Sequence, residues 1–218
     1  MITLLETADG SQTVKNNDIG ESYHSTHGAV QESMHVYINH GLRLVANNRS
    51  KIRVFEMGFG TGLNALLTLR EVLENPNLEV EYVCIEPFPL SENIYRQLNY
   101  PQDSERDYFI QMHQSVHAKN INIHERFSFL KMEVKFEDFH YYKQFDIMYY
   151  DAFGPTSQPE LWSLDALRKS VDMLNLDGIW VTYCSKGEVR RGLVSLGMKA
   201  ERKAGPPGKR HMIFATKP

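Results

Sequence analysis

Hydrophobic and polar positions recur along this chain in two rhythms, and the change from one to the other marks its organisation. Over residues 28–46 the apolar side chains Val30, Met34, Ile38, Leu42 and Val45 return every three to four positions, which predicts a helix with one apolar stripe. Before it, residues 1–20 read as a hairpin or two short strands around Ala8-Asp9-Gly10-Ser11, where Asp-Gly signals a turn. From residue 51 short β-branched runs alternate with helical ones. Strands are predicted at Ile52–Glu56, Val80–Ile85, Ser128–Phe136, Gln144–Tyr150 and Gly178–Cys184. Helices are predicted at Leu63–Leu73, Pro89–Leu98, Asp103–His117, Glu160–Asn175 and Lys186–Leu196. Two closing strands, roughly 198–203 and 210–216, flank Gly205-Pro206-Pro207-Gly208. The spacing implies an α/β fold: a Rossmann-like sheet, mostly parallel with an antiparallel C-terminal strand pair, and ligands at the strands' carboxyl ends. The expected organisation is a hairpin-and-helix extension over 1–50 and a core over 51–218, one domain overall.

Composition narrows the classes. With 42% hydrophobic and 23% charged residues in 218, the chain can build a core and is not disordered. Two cysteines, Cys84 and Cys184, make neither a disulfide framework nor a Cys-rich metal site. No run approaches a membrane span and the N-terminus has no basic leader, so a cytoplasmic, membrane-free protein is expected. The net charge of −3 is uneven: residues 186–218 hold nine basic residues against two acidic, a local +7, which leaves −10 on the first 185. A basic end on an acidic body points to a polyanion docking on one side, or simply to a solvated basic face.

The turn after the first core strand carries candidate chemistry. Glycines stand at 58, 60 and 62, followed by the helix from Leu63. The dinucleotide fingerprint requires a glycine where Leu63 stands. Glu56, two residues before Gly58, would repel a pyrophosphate and suits a cationic ligand, such as a sulfonium with an α-ammonium group. Glu86 closes the second strand, where a carboxylate accepts hydrogen bonds from ribose hydroxyls. Glu137-Asp138 follows the third and could reach an adenine amino group. Each acid alone has a plain alternative as a helix cap; three at one sheet edge point to a ligand.

The fourth strand delivers Asp151-Ala152-Phe153-Gly154-Pro155 to the same edge. A carboxylate there orients an amine acceptor and an aromatic ring stacks on a planar one, so Asp151 and Phe153 are the candidate catalytic pair. With an ordinary pKa near 4, Asp151 is expected to position rather than act as base, the proton leaving to solvent. The alternative is an Asp capping the turn before Pro159. Nine histidines, including the pairs His24/His27 and His113/His117, lack the companions of a metal site, and none is expected. Ser25 is placed to begin or cap the first helix.

These motifs resemble a known family. Glu56-Met57-Gly58-Phe59-Gly60-Thr61-Gly62-Leu63-Asn64 follows the first motif of class I S-adenosylmethionine methyltransferases. Together with Tyr23-His24-Ser25, Gly28-Ala29-Val30-Gln31-Glu32, Glu86-Pro87-Phe88-Pro89-Leu90, Asp151-Ala152-Phe153-Gly154-Pro155 through Pro159-Glu160-Leu161-Trp162, and Val189-Arg190-Arg191-Gly192-Leu193 leading to Gly208-Lys209-Arg210-His211-Met212, it is similar to the methyltransferase part of the MnmC-type tRNA wobble-uridine enzymes. The likeness spans about residues 23–212. It implies methylation of the amino group of 5-aminomethyl-(2-thio)uridine at position 34, with S-adenosylmethionine as cofactor and the tRNA anticodon stem-loop as partner. It also implies cofactor contacts from Tyr23, Ser25, Glu56, Gly58, Gly60, Gly62, Asn64, Glu86, Asp138 and Asp151. The family has Gly-Asp where this chain has Glu137-Asp138. In the fused enzymes a FAD oxidase domain precedes this step; the chain has no room for one, and FAD is not expected.

The tRNA reading gives the basic segment a purpose: Arg190, Arg191, Lys203, Lys209 and Arg210 would grip phosphates, with Lys199 and Arg202 nearby. An unpaired loop base enters a pocket at low unstacking cost, and Phe153 is the candidate partner. Nothing in the sequence requires an obligate protein partner. Three other readings stay open: a small-amine or protein N-methyltransferase, an aminopropyltransferase of the polyamine-synthase type, and a non-catalytic nucleotide-binding regulator. A requirement for tRNA would separate them.

Overall fold

A computed structural model describes residues 2–141 and 144–218. The N-terminal segment forms a small antiparallel sheet of β1 (Ile2–Glu6), β2 (Gln12–Asn16) and β3 (Glu21–Ser22). The Asp9-Gly10 turn joins β1 to β2, and it also caps a helix. Asp9 accepts the Gln31 N–H at 3.0 Å, Ser11 Oγ the Val30 N–H and Thr7 Oγ1 the Ala29 N–H, both at 3.3 Å. These are the first donors of α1 (Ala29–Ser33), whose own N-cap, Gly28, has no side chain to offer.

From α1 the chain runs without a break through a π-helical stretch, Met34–Leu42, into α2 (Arg43–Ala46). The apolar stripe predicted a plain α-helix. The wider turn instead buries Val36, Tyr37, Ile38, Gly41 and Leu42 together. Then come β4 (Lys51–Met57), α3 (Leu63–Glu74), β5 (Glu79–Ile85), α4 (Glu92–Tyr95), α5 (Arg106–Gln114), β6 (Ile121–His124), β7 (Phe127–Met132), β8 (Phe145–Tyr150), α6 (Leu164–Asp172), β9 (Leu174–Thr182), α7 (Gly187–Ser195), β10 (Lys199–Ala204) and β11 (His211–Thr216).

Eight strands make one sheet in the order β10-β11-β9-β8-β4-β5-β7-β6. The central five are parallel; β6 at one edge and the β10–β11 pair at the other are antiparallel. The mostly parallel sheet and the antiparallel closing pair are as expected from the sequence. Strand alternation sorts the core into two layers: Val54, Tyr82, Phe129 and Tyr149 face one side, Phe55, Val83, Met148 and Trp180 the other. Among the described residues no helix is long and apolar enough to cross a membrane.

Several boundaries differ from prediction for local reasons. The helix expected over Glu160–Asn175 is interrupted at Ser163, which leaves a 3-10 turn (Pro159–Trp162), adopts an extended conformation and caps α6 by accepting the Ala166 N–H. Pro89–Leu98 yields only one α-turn. The chain must then turn so that Asn99 can bond Gln12 N–H and Gly10 carbonyl, both at 2.9 Å, while Leu98 and Tyr100 enter the core. The expected helix Asp103–His117 begins as a 3-10 turn and ends at Gln114. The third core strand stops at Met132, and β6, which was not predicted, is the short alternating run Ile121-Asn122-Ile123-His124.

Candidate functional site

A cavity of about 440 Å³ opens at the carboxyl edge of the parallel strands. Its walls are the segments that follow β4 (57–61), β5 (85–88), β7 (135–137) and β8 (151–153), with Tyr183 after β9. Tyr23 and His24, and Asn16 and Ile19 from the β2–β3 turn, close it from the N-terminal sheet. The strand-end loops are tied together. Gly58 and Phe59 N–H donate to the Ile85 carbonyl, and Asp151 N–H to that of Met57.

The glycine turn is shaped by what lies against it. Gly60 has φ +49°, and a Cβ there would sit 2.8 Å from the Tyr23 ring; at Gly58, φ +84°, it would sit 3.1 Å from the Asp151 carbonyl oxygen. A larger residue is strained in conformation at both positions, and at Gly60 it also forces the Tyr23 ring to shift. The Gly60 N–H donates to Glu86 Oε2 at 2.8 Å and Phe88 N–H to Oε1 at 2.9 Å. Burial raises the Glu86 carboxyl and these two donors partly offset it.

Asp151 is held from two sides. Tyr37 Oη donates to Oδ1 at 2.5 Å, and Asn64 Nδ2 to Oδ2 at 2.7 Å. Burial pushes its carboxyl up to about 7, against the pull of both donors. An ordinary carboxyl is the expectation from sequence for Asp151; its surroundings raise it instead, toward the range of proton transfer near neutrality. Asn64 also donates to Glu56 Oε1 at 2.9 Å. Glu56 itself is 1% exposed, outside the cavity wall, and is raised well above the carboxylate range by burial and then by Asp151. It reaches the cavity only through Asn64.

The remaining candidates divide. Tyr23, Gly58, Gly60, Asn64, Glu86, Asp151 and Phe153 all line the cavity, with the Tyr23 and Phe153 rings edge to face at 5.0 Å. Gly62 lies just behind, in a left-handed conformation at the start of α3. Ser25 is not in the wall; its Oγ accepts the His27 N–H at the entry to α1. Asp138 is exposed and outside the wall, which takes its neighbour Glu137 instead. Among the described residues no group of three possible ligands is placed to hold a metal ion.

The basic residues also divide. Lys209 Nζ donates to the buried Glu32 at 2.5 Å and lies 4.0 Å from the centre of the Tyr183 ring. Lys203 pairs with Glu201 at 2.7 Å and covers Phe214. Arg190, Arg191 and Arg210 make no side-chain hydrogen bond or ion pair among the described residues, and Arg191 and Arg210 are exposed.

Four participants were missed in the sequence. Tyr37 and Glu32 sit within an apolar helix pattern. His24, in the wall, bonds Thr61 Oγ1 at 2.6 Å and is pushed down to about 4 by burial, so it is neutral. Glu21 ties β3 to the loop after β8, accepting from Gly154 N–H at 3.1 Å and from Ser157 Oγ. The signal for Glu21, an acid just ahead of Tyr23-His24-Ser25, is visible only once the loop it holds is known.

A sequence family described as S-adenosyl-L-methionine-dependent methyltransferase matches residues 99–218. The chain belongs to this family. A crystal structure of MNMC2 from Aquifex aeolicus superposes with a TM-score of 0.86 at 28% identity, over 100% of this chain and 72% of that one. The bifunctional tRNA 5-methylaminomethyl-2-thiouridine biosynthesis protein MnmC of Burkholderia multivorans is 27% identical over 97% of this chain and 34% of its own length. An uncharacterized protein of Methanocaldococcus jannaschii is 27% identical over 98% of this chain and 59% of its own. The chain thus spans about a third of the bifunctional relatives it matches. Spermidine synthase of Thermotoga maritima shares the fold, with a TM-score of 0.60 at 13% identity.

The site fits S-adenosylmethionine. Glu86 and Asp151 stand in the cavity wall with Glu56 behind them, acceptors for the hydroxyl and ammonium donors of the ligand, and a bound cation would favour their ionised forms against the burial that raises them. Each Glu86 oxygen retains acceptor capacity for a ribose hydroxyl. Asn64 Oδ1 is buried and has no donor among the described residues.

Proposed function

We propose that this chain methylates the amino nitrogen of a 5-aminomethyluridine, with or without the 2-thio group, at the wobble position of tRNA. One observation carries the reading: a half-buried carboxylate, Asp151, held by Tyr37 and Asn64 in a cavity wall that also contains the edge-to-face pair Tyr23–Phe153. A planar base fits against Phe153, and an aminomethyl group reaches Asp151.

S-adenosylmethionine, when bound, supplies a methyl group on a positively charged sulfur. Asp151 in its carboxylate form takes a hydrogen bond from the amine and aims the nitrogen lone pair. Methylation would leave the nitrogen with one proton to lose. With its carboxyl near 7, Asp151 can accept that proton and release it to water. Glu86 and the Gly58–Gly60 turn hold the nucleoside end, and Asn64 keeps Asp151 facing the cavity.

Arg190, Arg191 and Arg210, with the exposed Arg202, supply the phosphate-binding surface, whereas Lys209 serves the site's interior. The test is bulk tRNA from a strain lacking the gene, incubated with the protein and labelled S-adenosylmethionine, then digested for mass spectrometry. Gain of one methyl on 5-aminomethyl-2-thiouridine, lost in Asp151→Ala, is expected. Label on a free polyamine-type amine, or none in tRNA, overturns the reading.

A further inference from the structure

We propose that Tyr37 is a positioning residue for methyl transfer, its hydroxyl fixing one oxygen of Asp151 so that the carboxylate presents its remaining lone pairs to the cavity. The inference rests on the reading of Asp151 as the group that receives the amine. Three observations carry it. Tyr37 Oη lies 2.5 Å from Asp151 Oδ1 while Asn64 Nδ2 lies 2.7 Å from Oδ2, so donors from two different elements grip the two oxygens and stop the carboxylate from turning. Tyr37 is 1% exposed, so no water competes for its hydroxyl. Its ring is set 5.2 Å from that of Tyr149 on β8, the strand that delivers Asp151.

The helix that carries Tyr37 is irregular where this contact is made. Met34–Leu42 is π-helical, and Arg43 N–H reaches back five residues to Ile38. The π geometry forgoes ordinary helix hydrogen bonding and recurs at functional sites. Gly41, one turn on, lets the helix lie against the sheet: a Cβ there would come within 3.0 Å of the Tyr149 ring.

Every charged or titratable neighbour of Asp151 bears on its protonation. Tyr37 from the π stretch and Asn64 from α3 bond it directly. Glu56 at the end of β4 shares the Asn64 amide. Glu32 from α1 acts across space, as do Lys209 ahead of β11 and Tyr183 after β9. Of these only Tyr37 and Asn64 touch it, and the Tyr37 hydroxyl is held protonated by burial and by Asp151 itself. Removing that donor destabilises the charged carboxylate, so Asp151 should titrate at higher pH.

The experiment uses protein labelled with 13C at aspartate Cγ, titrated by NMR, with Asp151→Asn identifying the resonance. Tyr37→Phe keeps the ring and loses only the hydroxyl. Its Asp151 midpoint should rise by about one pH unit over wild type, the loss expected for a charge-assisted hydrogen bond. A midpoint moving from about 7 to about 8 leaves roughly a fifth of the carboxylate at pH 7. Turnover on tRNA should therefore fall about fivefold at pH 7 and recover near pH 9, with KM for S-adenosylmethionine within about twofold. An unmoved midpoint overturns the inference by itself. If Asp151→Asn keeps wild-type turnover, the reading beneath it is overturned instead, and the two failures show on separate measurements.

Discussion

Replacing Lys209 by methionine keeps the apolar stem of the side chain and removes its charge. Its Nζ donates to Glu32 Oε2 at 2.5 Å, and Glu32 is the buried partner, 6% exposed against 31% for Lys209. Removing one partner of a fully buried pair costs about 3–5 kcal/mol, mostly for the charge left behind. An exposed pair is worth about 0–1 kcal/mol. This pair lies between, nearer the buried case because, among the described residues, Glu32 keeps only the Ser25 N–H at 3.0 Å. The cation over the Tyr183 ring is lost as well. We expect about 2–3 kcal/mol of destabilisation, which for a chain of this length lowers Tm by about 5–10 °C. Urea unfolding and calorimetry at neutral pH measure it. Arg210→Ala, with no partner to lose, should stay within about 0.5 kcal/mol, and Glu32→Gln combined with Lys209→Met should recover part of the loss. If Lys209→Met instead leaves Tm within about 1 °C and selectively weakens tRNA binding, Lys209 is a phosphate ligand and the reasoning is wrong.

Three further outcomes follow from other parts of the structure. Arg190→Ala with Arg191→Ala should weaken tRNA binding uniformly and reduce the slope of log affinity against log salt by about two, read by filter binding across a salt series. Asp9→Ala removes the acceptor for Gln31 N–H, Ser11 N–H and the Thr7 hydroxyl, and should cost about 1–2 kcal/mol in urea unfolding with S-adenosylmethionine contacts left intact. His113 is pushed down to about 3 by burial, so as pH falls below about 6.5 the unfolded chain takes up a proton at this residue that the folded one refuses. Wild type should therefore lose about 1.3 kcal/mol at this site between pH 7.5 and 5.5, and His113→Gln should not; parallel unfolding curves for the two proteins deny it.

What the sequence revealed follows from how each group is placed. Glu86 and Asp151 were legible because both stand at the ends of apolar strands, and parallel strands end at one edge. The glycine turn was legible because close approach excludes side chains, and both Gly58 and Gly60 are crowded as that logic requires. Asp138 shows the limit of it. One residue decides which of two adjacent acids faces a cavity, and here Glu137 does. Tyr37 was hidden because an aromatic within a helix reads as core, which it also is; only the π turn and the distance to Asp151 reveal its second role. Lys209 was hidden in the opposite sense, since a lysine in a basic run reads as surface, and its acidic partner is 177 residues away.

The N-terminal residues belong to the site rather than beside it. Glu21 holds the loop after β8, Tyr23 walls the glycine turn, Glu32 sets the field near Asp151, and Tyr37 grips its carboxylate. The Asp9 turn in turn fixes the start of the helix that carries two of them. Such placement bears on Glu86 and Asp151, whose carboxyls are raised first by desolvation, against the pull of the donors that hold them. A core of strands alone could present Glu86 and Asp151. The N-terminal segment covers one side of them, and desolvation there raises both carboxyls.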